Sequence, residues 1–218
     1  MTDSDITPRK RFHALDARER ARWLDPAEAE FCAHGFENAS LNRILKQAGM
    51  SKGRSYHYFA DKGELFRATL DRRMAGIAEL CDAAVLAAKE PGLFWQEVAA
   101  LGARLTAALQ KDERLAALIR TLHQERAAQQ ACAVQLDVFR ARVEALLTAG
   151  QAIGAVRGDL PTSLLVAVTL QLIVTVDHWF ADHAAALDMA QEQLLSRQAF
   201  GLLIAPLIPP SQFGDDLP

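Results

Sequence analysis

Residues 35–66, GFENASLNRILKQAGMSKGRSYHYFADKGELF, decide the reading of this chain. Ser40 is an N-cap residue whose hydroxyl can accept from the backbone donors left free at a helix start. Leu41, Ile44, Leu45 and Ala48 then recur on one face of a short helix. Gly49 stops it, because glycine readily takes the left-handed conformation that a sharp turn requires. Met50 fills the angle of the turn and Ser51 caps the next helix, about two turns from Lys52 to Phe59. That segment carries Lys52, Arg54, Ser55, Tyr56, His57 and Tyr58, a poor composition for a structural helix. It suits a helix that meets a nucleic-acid duplex, where cations and hydroxyls contact phosphates and a few side chains reach base edges. Phe59 and Leu65 read as core.

On the N-terminal side, helix signals begin near Asp16. Asp25, Pro26 and Glu28 read as a helix restart, with aspartate as cap, proline in the first turn and glutamate three residues past the cap. This helix ends at Gly35 and covers the pair with Trp23, Leu24, Ala27 and Phe31. Residues 1–15 read as a flexible arm in which Arg9, Lys10 and Arg11 cluster. On the C-terminal side, one long amphipathic helix runs from Asp61 to just before Pro91, with Phe66, Leu70, Ile77, Leu80, Cys81 and Ala84 at three- and four-residue steps. Further helices are expected at 93–110, 113–125, 126–151, 162–187 and 190–203. No alternating strand pattern competes, so the fold class is all-α. The domains are a flexible arm (1–15), a three-helix helix-turn-helix domain (16–68), a helical body (69–206) and a flexible tail (207–218) following a proline cluster.

Half of the residues are hydrophobic, enough for a substantial core, and the net charge is only −3. The charge is unevenly distributed: residues 42–73 hold 8 basic and 3 acidic side chains. A basic end and an acidic body suit a protein that presents one surface to phosphates. Cys32, Cys81 and Cys132 are widely spaced in apolar helical patterns and give no disulfide or zinc framework; they read as small buried hydrophobes. Residues 1–10 carry no apolar signal region, which points to a cytoplasmic protein. The longest apolar run, Leu164–Val176, is interrupted by Thr169, Gln171 and Thr175, falls short of a membrane span and reads as a buried helix.

At these residues the chain resembles the tetracycline-repressor-like (TetR) family of transcriptional regulators. The resemblance rests on Phe31 to Phe36 closing an apolar helix, the Ser40 cap, the Ala48–Gly49 turn, the Ser51–Lys52–Gly53 start, and Tyr56, Phe59, Lys62 and Leu65. It is strong over about residues 21–68, with a weak echo at Gly154–Pro161. Leu45 stands where a small alanine is commoner, and Ser55 where an apolar residue usually braces the second helix. The resemblance implies a homodimer, built by the last helices as a four-helix interface, that grips half-sites of a double-stranded DNA operator. Leu165, Val168, Leu172, Val176, Trp179, Leu195 and Leu202 are the interface candidates; helices apolar around most of their circumference need such cover.

The DNA-binding candidates are Ser40, Arg43, Ser51, Lys52, Gly53, Arg54, Tyr56, His57 and Lys62. Tyr56 and Lys62 are assigned to phosphates, and Arg54 and His57 to base edges, since arginine grips guanine bidentately and histidine can donate to the same acceptors. The helical middle is where a regulator of this type would hold an unknown small-molecule effector; Trp95, Leu101, Leu105, Leu122, His123, Phe139 and Val143 are the candidate lining residues. No cofactor and no metal is expected. His178 and Asp182, one turn apart, read as a polar helix edge, because spacing fixes no third ligand. No nucleophile–base pairing argues for an enzyme. The expected function is a ligand-responsive DNA-binding regulator, a repressor without membrane association. The alternative is a helical small-molecule-binding or scaffolding protein with a degenerate helix-turn-helix.

Overall fold

The computed structural model describes residues 7–78, 82–183 and 186–210, and every regular element among them is helical. In chain order these are α1 (Pro8–His13), α2 (Ala17–Asn38), α3 (Leu41–Ala48), α4 (Lys52–Tyr58), α5 (Lys62–Ala78), α6 (Ala83–Ala87), α7 (Pro91–Lys111), α8 (Glu113–Gln124), α9 (Arg126–Ala131), α10 (Ala133–Ala152), α11 (Thr162–His183) and α12 (Met189–Ile204), followed by a 3-10 turn (Ala205–Leu207). The chain forms two compact units, Met1–Glu79 with Ala107–Val134, and Leu80–Thr106 with Gln135–Pro218. Residues 113–131, expected in the helical body, therefore pack with the N-terminal helices.

The second unit is centred on Val85, Phe94, Val143, Leu147, Ala155, Val156, Leu165, Val166 and Leu207. Pro91 begins α7, a position where its missing N–H costs no helical bond. Leu207, expected in a flexible tail, is only 4% exposed, and its carbonyl accepts from Arg157 N at 2.8 Å. The proline cluster ends α12 but does not release the chain, because Leu207 has an apolar site to fill. Residues 211–218 of the expected tail, residues 1–6 of the expected arm, and Leu80 and Cys81 lie outside the described residues. The expected helix from Asp61 to Pro91 is described as α5 and the separate α6, with Asp82 at the N-cap position of the latter. Thr162–Phe180 is long and apolar enough to cross a membrane by length and composition alone, at 19 residues and mean hydropathy 1.5. The polar residues within Leu164–Val176 interrupt that helix without ending it, so the expected shortfall does not hold.

In the first unit, α2 is capped by Asp16, whose side chain accepts from Glu19 N at 2.8 Å, and runs helically through Pro26. No restart occurs at Asp25. A proline inside a helix forfeits one backbone bond and costs about 3 kcal/mol, opposed here by the complete or nearly complete burial of Trp23, Leu24, Ala27 and Phe31 around it. The expected helix over 126–151 is divided at Cys132, which is fully buried and whose N–H donates to the carbonyls of Ala128 and Gln129. Burial pushes its thiol up to about 12. Cys32 is half-buried, its thiol also raised by burial.

Asp25 and Glu28 instead tie three helices together. Glu28 is fully buried and accepts from Arg72 of α5 at 2.6 Å, from Arg114 of α8 at 2.7 Å, and from Arg73 of α5 through both oxygens. Asp25 takes the other arm of Arg72 at 2.6 Å, and Asp112 takes Arg73 at 3.2 Å. Burial alone would raise the Glu28 carboxyl, but the hydrogen bonds from Arg73, Arg114 and Arg72 prevail and lower it from 4.5 to about 2. A carboxyl depressed on folding adds stability that is fully present above its unfolded value and is lost as pH falls through its folded one. In urea titrations, about 3 kcal/mol of the unfolding free energy should disappear between pH 5 and pH 2, and Glu28→Gln should flatten that part of the profile. Glu28→Ala, which leaves guanidinium groups facing one another, should cost about 3–5 kcal/mol at neutral pH.

Candidate nucleic-acid interface

The α3–α4 pair forms as its sequence dictates. Ser40 Oγ accepts from Arg43 N at 3.4 Å and Ser51 Oγ from Arg54 N at 3.3 Å, each capping its helix. Gly49 lies between them at φ 65°, ψ 33°, and the N–H of Met50 closes the turn on Leu45 O at 2.9 Å. Ile44, Leu45 and Ala48 are buried, as are Ser55, Phe59 and Leu65. Ser55 thus occupies the bracing position with a small side chain at 2% exposure. Lys52, Gly53, Arg54, Tyr56 and His57 are exposed, Tyr56 at 54%. Two buried positions four residues apart, Ser55 and Phe59, fix which side of α4 faces inward. The cations and the phenol lie on the rest.

Two buried or half-buried charges set the approach to this pair. At Gly35, φ is 71° and ψ −175°, a break that only glycine adopts without strain. It frees the backbone donors of Phe36 and Glu37, and both donate to the carboxylate of Glu125, at 3.1 and 2.6 Å. A Cβ at position 35 would lie 2.1 Å from Glu125 Oε1. On the other side, Lys62 Nζ donates to the carbonyls of Phe36, Glu37 and Ala39 at 2.6, 3.1 and 3.1 Å and lies 4.7 Å from the Phe36 ring centroid. Lys62, expected on a phosphate, has its three donors committed inside the fold. Arg43 is engaged too, although its side chain stays about half exposed: its guanidinium reaches buried Glu30 at 2.6–3.1 Å and Asn38 O at 3.2 Å. The Arg43 hydrogen bonds hold the Glu30 carboxyl below its ordinary range, against the effect of burial, and the Ser40 N–H adds to them at 2.7 Å. Nothing in the sequence separates these two cations from those on α4; only the buried Glu30 and the bare carbonyls at the end of α2 do.

Within the expected arm, Pro8–His13 form a helix. Thr7 caps α1, Pro8 occupies its first turn, and Phe12 is 3% exposed with its ring 4.7 Å from that of Phe59. One apolar residue with a cap and a proline is enough to dock six residues, a signal visible in Thr7–Phe12 but too short for periodicity. The dock places Arg11 Nη1 3.0 Å from His57 Nδ1.

The remaining candidates scatter. Leu122 and His123 belong to the first unit. Trp95, Leu101 and Val143 pack with the core of the second, where Trp95 Nε1 donates to Ala155 O at 3.2 Å. Leu105 is half-buried and Phe139 is 44% exposed. Neither unit by itself gathers the effector set. Of the interface candidates, Leu165 is 2% exposed within its own core, so it is not surface for a second copy, and Leu164 beside it is 47% exposed. Val168, Leu172, Val176 and Leu195 are half-buried, while Trp179 and Leu202 are exposed, as is Leu194, a residue outside the expected set. Trp179 stacks on His183, centroids 4.4 Å apart. Among the described residues no three His, Cys, Asp or Glu side chains gather as metal ligands.

Residues 24–69 match the family described as bacterial regulatory proteins, tetR family. Curated relatives are transcriptional repressors, not enzymes. The chain is 39% identical over 59 residues to the HTH-type transcriptional repressor SCO4008 of Streptomyces coelicolor, covering 27% of this chain and 31% of that one. It is 37% identical over 65 residues to the HTH-type transcriptional repressor Rv1474c of Mycobacterium tuberculosis, covering 28% and 35%. The matches thus span about a third of those relatives. The fold resembles that of the regulator FadR from Bacillus subtilis in complex with stearoyl-CoA, with a TM-score of 0.67 and 18% identity over 85% of this chain and 98% of that one. It also resembles SmeT, the repressor of a multidrug efflux pump of Stenotrophomonas maltophilia, with a TM-score of 0.66 and 20% identity over 95% and 93%. A SmeT–triclosan complex gives a TM-score of 0.67 at 20% identity over 88% and 92%.

Lys62→Met should test the internal role of that lysine. It removes one charged donor from three carbonyls and should lower the urea unfolding free energy by about 2 kcal/mol. Unchanged stability would return Lys62 to the surface.

Proposed function

Since residues 24–69 belong to the tetR family of bacterial regulatory proteins, we propose that the chain is a homodimeric, ligand-responsive transcriptional repressor that binds a pseudo-palindromic DNA operator. The observation that carries this reading is the α4 surface: Lys52, Gly53, Arg54, Tyr56 and His57 exposed on a two-turn helix whose other side is anchored by Ser55 and Phe59. A helix this short reads only a few base pairs, so two copies related by a two-fold axis multiply its grip. Lys52 and Tyr56 meet phosphates, joined by the capped starts of α3 and α4 at Ser40 and Ser51. Arg54 and His57 reach base edges. Arg43 and Lys62 act from behind, holding α3 and its approach in place.

The second copy covers α11 and α12. Exposed Leu194, Leu202 and Trp179, with half-buried Val168, Leu172, Val176 and Leu195, form the apolar surface such a partner needs. The effector is a small molecule with an apolar part, held within the second unit, where Trp95, Leu101, Leu105, Phe139 and Val143 supply the apolar contacts. That two proteins of the same fold form complexes with stearoyl-CoA and with triclosan supports this ligand class. The effector acts by binding one dimer state better than the other. The protein is not an enzyme, works in the cytoplasm and uses no membrane.

Mobility-shift titrations of genomic fragments test the reading. Binding should weaken steeply with salt, and Lys52→Ala and Tyr56→Phe should each reduce the affinity or the log–log salt slope, the latter by about 0.9 for each phosphate no longer neutralised. Arg54→Ala should relax preference at one base pair, costing about 1–3 kcal/mol against the best operator. Equal, salt-insensitive binding by all variants would refute it. Sedimentation should give a dimer that Trp179→Glu combined with Leu202→Glu dissociates; a monomeric wild type would remove the two-fold part of the proposal.

A further inference from the structure

The contact between α1 and α4 has chemistry that the operator reading does not use. A guanidinium carries five N–H donors and no acceptor, and it stays charged at any pH the protein meets. Arg11 Nη1 lies 3.0 Å from His57 Nδ1. In that pair only the arginine can donate, so Nδ1 presents its lone pair. A neutral imidazole whose Nδ1 accepts must carry its proton on Nε2. The contact therefore selects one of two tautomers of a residue on the exposed side of α4.

We propose that Arg11 is a positioning residue that locks His57 as its Nε2–H form, so that α4 offers DNA a hydrogen-bond donor at this position and rejects bases that present one. The inference rests on the operator reading. In the major groove guanine N7 and O6, adenine N7 and thymine O4 accept, whereas adenine N6 and cytosine N4 donate. An unlocked histidine exchanges its tautomers and accommodates either kind of edge. A locked one prefers acceptors, most of all the two that guanine offers.

The lock depends on α1 being docked. Arg11 N donates to Thr7 O at 3.1 Å, and the neighbouring residue, Phe12, is buried against Phe59. Arg11 thus leaves the backbone next to an anchored side chain and reaches His57 from a fixed origin. The ring it meets is itself oriented, since His57 and Tyr58 are edge to face at 4.9 Å and 85°. Arginine in a charged N-terminal segment is usually read as a phosphate contact; here it sets the chemistry of another side chain, which alters which bases are chosen and not only how tightly the duplex is held.

Long-range 1H–15N correlation of the histidine side chains in the full-length protein, with the His57 signals assigned by their loss in His57→Asn, tests the lock without DNA. Wild type should show His57 as a single Nε2–H form, Arg11→Met an averaged pattern, and Arg11→Lys, which keeps a charged donor, the wild-type pattern. Selection from randomised DNA then reads the consequence. At the base pair contacted by His57, the wild type and Arg11→Lys should favour guanine over cytosine by about tenfold and Arg11→Met by about twofold or less, whatever happens to overall affinity. A wild-type spectrum with Nδ1 protonated or averaged, or a preference unchanged in Arg11→Met, would overturn the inference while leaving the operator reading in place. Failure of the wild type to select any sequence would overturn both, and the wild-type spectrum would still report the tautomer.

Discussion

A left-handed break at Gly35 is the constraint on which the arrangement of the first unit depends. Helix α2 must run long enough to bury Trp23, Leu24, Ala27 and Phe31, yet it must also deliver the chain to Ser40 at the angle α3 requires. An unbroken helix cannot do both. The break leaves donors on one side and acceptors on the other, and buried backbone groups without partners are costly. Glu125 takes the donors and Lys62 the acceptors. Because one partner comes from α5 and the other from the junction of α8 and α9, the direction of α3 is fixed by parts of the chain about 25 residues away in one case and almost 90 in the other.

Carboxylates on the buried side of α2 extend the same logic. Glu30 holds Arg43 and the backbone of Ser40, and Glu28 collects arginines from α5 and α8. Buried ion pairs contribute less to net stability than their geometry suggests, because both charges are stripped of water. What they contribute here is placement: a charge that is costly to leave unpaired tolerates few alternative helix packings.

The sequence makes the α3–α4 pair legible for a simple reason. Each of its signals is local: a serine cap, an apolar face, a glycine stop, then another serine cap, all within about five turns of helix. The outward side of α4 follows from composition and spacing alone. The roles of Arg43, Lys62, Arg72 and Arg73 do not, since a basic residue tying helices together and one awaiting a phosphate are the same letter. Most of the local excess of basic residues in 42–73 is consumed in this way, including Arg67, which donates to Ala131 O at 2.8 Å. Asp25, Pro26 and Glu28 mislead for the opposite reason: they satisfy the pattern of a helix start, but their carboxylates face arginines that lie 44 to 86 positions further on. Likewise, Leu165 and Leu202 are indistinguishable by type, and only packing reveals that one is already covered and the other is bare.

The membership of α8 and α9 in the first unit has a consequence for how the protein is made. A nascent chain that has emerged only as far as α5 has Glu28 without Arg114, the Gly35 break without Glu125, and no Leu115, Leu118 or Leu122 in its core. Helices α6 and α7 must be synthesised before those partners arrive, so the N-terminal fold is completed late, by contacts of long sequence separation, which are slow to form. Until residue 134 or so leaves the ribosome, the helix-turn-helix is a set of capped helices without its final supports.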